Sequence, residues 1–500
     1  MSLFRTLFVS LAVVLMGCSA SSDDSGTEDP PDTGFVEVAG DDAGTQDAGA
    51  PDAGTQDAGT QDAGGGPTDS LAGLTRIASA EYQLFYLVNG RVLGIGSNRA
   101  GQLGVGHANP YNQVPPIDIA LPAELRFKDV AGGGFQSVAL DVQGRVWTFG
   151  QNLYGQRGDG TTNDYPNRTT TPNNGQPYLI LQDATGATFD NVIAVRSALL
   201  FNMALKADGS VWVWGMSGKA IGDTLGIAGD GNTEPRNITR PVRVPLPQGV
   251  RITSFTTNDS SIFALDDTGK VWAWGGSAAG ETLGRGNNPD YARPNSLNIP
   301  VKVKELAAGG ARWVVALDEN GSLWGWGLEG TYLGLGPPQG GWYPVSTPVK
   351  LSFPEFGTHK VVHVSASGHV THVILDDGTL WGWGDSALGE VGNGAMLDFA
   401  TYHSPYNWDW GKYEKMVFRP VQVAPGVTFT ALHNTAQSFY NYATATDGTI
   451  YSWGRNKTGV LGNGVRPTGD VAGRPDSWNV ATATPVPAHL LTTGTDTPSK

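Results

Sequence analysis

The 500-residue sequence holds one cysteine, Cys18. No intramolecular disulfide can form, even in an oxidising compartment, so stability has to come from packing. Basic charge is also scarce, with 32 Lys and Arg against 47 Asp and Glu. Residues 1–70 carry 13 of those acids and one of the bases, which leaves 34 acids against 31 bases in residues 71–500, a net of −3. A nucleic-acid binder shows a basic surplus, so nucleic acid is not an expected partner. There is no Gly-x-Ser-x-Gly elbow, no His-Glu-x-x-His and no P-loop pattern, so the sequence presents no catalytic residues and implies no cofactor.

The longest apolar run, Leu7 to Met16, follows one basic residue, Arg5, and is too short to span a bilayer as a mature helix. It ends in Leu15-Met16-Gly17-Cys18, which resembles the bacterial lipobox. The resemblance implies a signal peptide over 1–17 and a mature chain that begins at a lipidated Cys18. The protein would then be exported and held to the cell envelope, at the outer membrane or cell surface. Residues 18–70 are rich in Asp, Ala, Gly and Thr, with near-repeats at Asp47-Ala48-Gly49, Asp52-Ala53-Gly54, Asp57-Ala58-Gly59 and Asp62-Ala63-Gly64. So few large apolar residues cannot repay the entropy of ordering, and a disordered tether is expected. One carboxylate every five residues does not make the oxygen cage that calcium requires.

From residue 71 onward one short stretch keeps returning. Val211-Trp212-Val213-Trp214-Gly215 has counterparts ending at Gly150, Gly275, Gly327, Gly384 and Gly454, and a weaker one, without Trp, ending at Gly96. Successive closing glycines are 54, 65, 60, 52, 57 and 70 residues apart, the loose period of a repeat architecture. Each copy reads as a β-rich approach ending in Ala-Leu, an Asp/Gly turn, the Trp strand and a glycine-rich exit. Asp208-Gly209 supplies a hairpin turn. Alternation places Trp212 and Trp214 on one face of the strand and Val211 and Val213 on the other, so both faces are apolar, as a stacked sheet requires. Exits such as Gly101-Gln102-Leu103-Gly104 and Gly155-Gln156-Arg157-Gly158 repeat too, and short Pro-Val strands such as Arg240-Pro241-Val242 precede the next approach.

This order of turn, Trp strand and Gly exit, kept seven times over residues 75–490, resembles the regulator-of-chromosome-condensation (RCC1) repeat. The resemblance implies an all-β, seven-bladed propeller over residues 71–500 that binds proteins. The nucleotide-exchange activity of the eponymous branch, which acts on a nuclear GTPase, does not suit an exported chain. Ile77-Ala78-Ser79-Ala80 and Thr484-Pro485-Val486-Pro487 look like parts of one blade, so a shared closing blade is expected.

Ten of the 15 Trp residues fall in the repeat strands, where inter-blade core is the expected role, and Trp313 aligns with an approach strand. Trp408 and Trp410 instead sit in an insertion, Ala395 to Phe418, with Tyr402, Tyr406 and Tyr413. A second insertion carries Trp342 and Tyr343. Long loops on a rigid scaffold concentrate binding residues, so these seven aromatics are the candidate ligand-binding set, with a structural cap over the barrel end as the alternative. His359, His363, His369 and His372 raise the question of zinc, but their spacing does not bring them together, and no metal site is inferred. Asp141, Asp208, Asp266, Asp318, Asp376 and Asp447 occupy nearly the same turn in each unit and read as turn formers.

The leading expectation is therefore a cell-envelope lipoprotein whose propeller is a non-catalytic protein-interaction module. The competing class is a carbohydrate-binding or polysaccharide-processing propeller, with Trp408 and Trp410 as stacking platforms and Asp398, Asp409 and Glu414 the only carboxylates at hand.

Overall fold

A computed structural model describes residues 73–162, 175–217, 226–276, 281–286, 288, 290–310, 313–328, 330–337, 344–396, 415–463 and 479–487. The repeat folds into seven four-stranded antiparallel sheets, each made of four consecutive strands. Blade 1 is β1 (Leu74–Ser79), β2 (Gln83–Val88), β3 (Arg91–Asn98) and β4 (Asn109–Asp118). Blade 2 is β5 (Phe127–Gly132), β6 (Gln136–Asp141), β7 (Val146–Gly150) and β8 (Tyr178–Leu179). Blade 3 is β9 (Val192–Ser197), β10 (Phe201–Lys206), β11 (Val211–Ser217) and β12 (Arg236–Arg243). Blade 4 is β13 (Ile252–Thr257), β14 (Ser261–Asp266), β15 (Val271–Gly275) and β16 (Asn295–Ser296). Blade 5 is β17 (Val303–Gly309), β18 (Trp313–Asp318), β19 (Leu323–Gly327) and β20 (Val345–Leu351). Blade 6 is β21 (Val361–Ser367), β22 (Val370–Leu375), β23 (Leu380–Asp385) and β24 (Met416–Val423). Blade 7 is β25 (Phe429–Leu432), β26 (Tyr440–Ala445), β27 (Ile450–Gly454) and β28 (Val480–Pro485).

The Trp motif is always the third strand. Its second ring is fully buried: Trp214, Trp274, Trp326, Trp383 and Trp453 are all 0% exposed. Burying an aromatic side chain of this size stabilises by roughly 2–3 kcal/mol. The Gly exit of the preceding blade makes room for that ring. Gly158 (φ +71°) would place a Cβ 3.2 Å from Trp214, and Gly392 (φ +82°) one 2.8 Å from Trp453, so any side chain there would meet the indole as well as a left-handed backbone. The same exit accepts the indole N–H. Trp214 donates to Gln156 O at 2.8 Å, Trp274 to Ile227 O at 2.9 Å, Trp383 to Tyr332 O at 3.0 Å and Trp453 to Glu390 O at 2.8 Å. The two halves of the sequence motif thus meet across blades rather than within one. Trp313 is buried as its alignment implied, and its N–H reaches Thr371 Oγ1 in the next blade at 3.0 Å.

Closure differs from the expectation of a shared blade. Val480–Pro485 pairs with β27 in blade 7, and Ile77 to Ser79 pair with β2 in blade 1, so the two fragments belong to different sheets. The seam is instead closed by side chains. Tyr440 Oη donates to Gln83 O at 2.6 Å, and the hydroxyls of Tyr86 and Tyr442 lie 3.2 Å apart. Around them Leu84, Tyr86 and Ile95 of blade 1 pack with Ile450, Leu461 and Val486 of blade 7. Buried tyrosines supply the apolar area and the hydrogen bonds that a shared strand would otherwise provide.

First strands line the axis. The first-to-second-strand turns and the third-to-fourth-strand connections share one end of the ring, termed apical. The second-to-third-strand hairpins lie at the other, basal, end. Blade 7 has an enlarged apical turn, residues 433–439, that reaches across the axis. Ser79 Oγ of blade 1 donates to His433 O at 3.2 Å, Gly368 N of blade 6 donates to Ser438 O at 2.6 Å, and a Cβ on Gly310 of blade 5 would stand 2.7 Å from Ala436 O. This turn thus touches blades 1, 5 and 6 at the apical end of the axis.

Candidate functional site: the apical face

In five blades the residue at the tip of the apical turn is positioned by the third strand. The backbone N–H after the closing glycine donates to its carbonyl: Ser97 to Tyr82, Gln151 to Phe135, Met216 to Leu200, Asp385 to His369 and Arg455 to Phe439. These tip residues precede the closing glycine by 15 positions, or 14 in blade 1. Four consecutive blades, 6, 7, 1 and 2, carry rings there: His369, Phe439, Tyr82 and Phe135.

The rings form two stacks. Tyr82 and Phe135 lie 5.5 Å apart at 30°, with Phe135 36% exposed. His369 stacks on Tyr332 at 5.9 Å and meets Phe439 edge-on at 5.2 Å, and Tyr332 stacks in turn on Trp313 at 4.7 Å. The Arg455 guanidinium sits 5.6 Å over Phe439. Thr458 Oγ1 of blade 7 donates to Tyr82 O at 3.0 Å, which joins the two stacks through backbone. The result is an arc of rings in which Phe135 is exposed and Tyr82 and His369 are half-buried, while Phe439, at 8%, and Arg455, at 9%, are buried and support them from below. Such a surface gains from desolvation and ring stacking, the contributions of an interface hot spot.

Trp408, Trp410, Tyr402, Tyr406, Tyr413, Trp342 and Tyr343, the aromatics singled out from the sequence, lie outside the described residues, as do Asp398, Asp409 and Glu414. The chain on either side of the larger insertion is fixed beside β23. Ser386 Oγ donates to Ala395 O at 2.8 Å and Ser386 N to Lys415 O at 3.2 Å. Both insertions belong to third-to-fourth-strand connections, so the strands that flank them open apically, on the same end as the arc. The arc itself went unpredicted, because its residues fall between motifs; counting back from the closing glycine is the signal that finds them.

The four clustered histidines diverge. His359 Nδ1 is 2.7 Å from Asp376 at the basal end, and His363 Nδ1 is 3.6 Å from Glu305 at the axis. His369 is in the arc. His372 is buried against Trp453, where its Nε2 donates to Val391 O at 3.1 Å and burial pushes its pKa down to about 4. Among the described residues no three His, Cys, Asp or Glu are placed to hold a metal ion.

The recurrent aspartates serve the turns. Asp141, Asp266 and Asp318 each accept backbone N–H groups from their own turn and the first indole of the following strand, Trp147, Trp272 or Trp324, at 2.8–3.1 Å. In blade 6 the turn acceptor is Asp377, which takes Thr379 N at 2.9 Å, while Asp376 pairs with His359.

Seven four-stranded antiparallel blades with a buried Trp seam define a β-propeller that presents loops at one end. The chain belongs to the RCC1-like domain family, whose sequence profile matches residues 91–487. It is 28% identical to the mouse E3 ubiquitin-protein ligase HERC2 over 65% of this chain and 6% of that protein. It is 27% identical to the Arabidopsis thaliana ultraviolet-B receptor UVR8 over 59% of this chain and 61% of the receptor. Among solved structures, yeast RCC1 (Prp20), bound there to Kap60, matches with a TM-score of 0.60 and 22% identity over 87% of this chain and 91% of that one. Human WBSCR16 matches with a TM-score of 0.58 and 17% identity over 72% and 84%.

Proposed function

We propose that this propeller is a non-catalytic protein-interaction module whose contact surface is the apical face. The observation that carries the reading is the arc of Tyr82, Phe135 and His369, backed by the buried Phe439. Four rings are fixed by backbone hydrogen bonds on adjacent blades, and the aromatic insertions enter from the same end. A rigid aromatic platform binds without the entropy cost of ordering itself. The Kap60 complex of yeast RCC1 supports a protein as the partner class. We further propose that the module is exported, that Cys18 carries the lipid that holds it to the cell envelope, and that residues 18–70 form the tether.

The test is capture from envelope extract and from a glycan array by the immobilised full chain, beside a Tyr82→Ala, Phe135→Ala variant with an unchanged melting temperature. A protein retained by wild type and reduced at least about tenfold by the variant, the scale of a hot-spot truncation, is the expected result. Selective glycan retention would move the reading to carbohydrate recognition, and equal retention by both chains would remove the arc from it.

A further inference from the structure

The seven first strands hold four Lys or Arg (Arg76, Lys128, Arg196, Lys304) and two acids (Asp129, Glu305). The axis is thus basic inside a propeller that is close to neutral. Every first strand carries a bulge near its basal end, and in four blades the residue just past it is ionisable: Arg76, Asp129, Glu305 and His363. Arg76 Nη1 lies 2.9 Å from Asp129 Oδ1, and Arg196 Nη1 lies 3.3 Å from Asp129 Oδ2.

The carboxylate is saturated, because it also accepts Val130 N at 2.9 Å and Val195 N at 3.1 Å and is 7% exposed. The two guanidiniums are not. Their side chains keep 29% and 32% exposure, Arg76 Nε is buried without a partner, and Arg196, whose Nη1 also donates to Val195 O at 2.7 Å, has its Cζ 5.8 Å from the Phe255 ring centre. Burial pulls Arg76 down to about 10, and the adjacent Arg196 adds to that against the attraction of Asp129, so the pair is charged at neutral pH and under-compensated.

We propose that the basal half of the axial channel is a binding site for a small oxyanion group, phosphate or carboxylate, held by the guanidiniums of Arg76 and Arg196. A planar guanidinium fork matches such a group bidentately. Asp129 orients the two forks and competes with the ligand for them.

The experiment is isothermal titration of the full chain, at fixed ionic strength, with inorganic phosphate and separately with a hexaglutamate peptide; the two arms distinguish a free anion from an acidic segment of a partner. Saturable binding of at least one probe is expected. Arg196→Met should weaken it about tenfold, the scale of one charge-assisted hydrogen bond. Asp129→Asn should tighten it about fivefold, the effect of removing one nearby opposing charge in water. A purely structural clasp would change stability in both variants without tightening the anion. If Asp129→Asn does not fold, Asp129→Glu, which keeps the charge but displaces it from the two forks, is expected to change the affinity, whereas a site that does not use these guanidiniums would not respond. No saturable binding of either probe, no loss in Arg196→Met, no tightening in a folded Asp129→Asn or, in its place, an unchanged affinity in Asp129→Glu would overturn the proposal.

Discussion

At the scale of single residues, the turn aspartates connect the hairpin to the core. Where the Asp stands six residues before the first Trp, as in Asp266 and Trp272, it binds the indole itself at 2.8 Å. Where it stands four before, the indole goes to the intervening hydroxyl: Trp212 donates to Ser210 and Trp381 to Thr379, both at 2.9 Å. Burial alone would raise the Asp266 pKa, but hydrogen bonds from Thr268, Trp272 and Lys270 outweigh it and leave the pKa lowered. Asp208 is lowered in the same way, against burial, by Ser210. A lowered folded pKa means that the carboxylate contributes stability above its unfolded value of about 3.9 and loses it as pH falls through the folded value. The melting temperature is therefore expected to fall below about pH 4, and Asp266→Asn to show a shallower fall than wild type. Equal slopes in thermal melts from pH 7 to 2 would contradict this. The sequence shows these aspartates as turn residues, since Asp-Gly chemistry is local. It does not show the indole contact, which depends on how far the turn returns along the strand.

At the scale of elements, the blade-to-blade seam distinguishes one blade pair from the rest. Four second-position indoles are stitched to the preceding exit, but Trp326 Nε1 is buried without a partner, and Ser261 Oγ and Thr282 Oγ1 of blade 4 are buried without partners as well. Trp453→Phe removes a made hydrogen bond at a cost of about 1 kcal/mol, while the Glu390 carbonyl keeps its second donor, Asn441 Nδ2 at 2.8 Å. Trp326→Phe removes an N–H that has no partner, and its cost is expected to be smaller. Chemical denaturation of the two variants decides: a Trp326→Phe loss equal to or larger than that of Trp453→Phe would contradict the seam argument. The blades themselves were legible, because hairpin turns, alternation and the Trp-Gly strand are all written within about 15 residues of one another. Closure was not. Tyr86, Tyr440 and Tyr442 read as ordinary strand residues, and nothing local says that they meet across more than 350 positions.

At the scale of the whole molecule, the ring is a fixed frame with different chemistry at its two ends. On the proposed readings, recognition belongs to the apical rings and anion binding to the arginines of the first strands. The apical arc was illegible for the same reason as closure, since Tyr82, Phe135, His369 and Phe439 are united by rotation about the axis rather than by any sequence pattern. On the lipoprotein reading, Cys18→Ala should move the protein from the membrane pellet to the soluble fraction and abolish incorporation of labelled palmitate. Unchanged fractionation with no label in wild type would refute the anchor.

The basal placement of the start of β1 has a mechanical consequence. β1 begins at Leu74 and is paired with β2 from Leu74 to Ser79. A pull at Leu74 along the strand loads the ladder in shear, so its bonds bear the force together instead of peeling one by one. At the far end of β1, Ser79 is gripped by the blade 7 turn: its carbonyl accepts Thr435 Oγ1 at 2.8 Å, and its hydroxyl donates to His433 O at 3.2 Å. If residues 18–70 act as the proposed tether, tension on it passes from blade 1 to blade 7, across the seam that closes the ring.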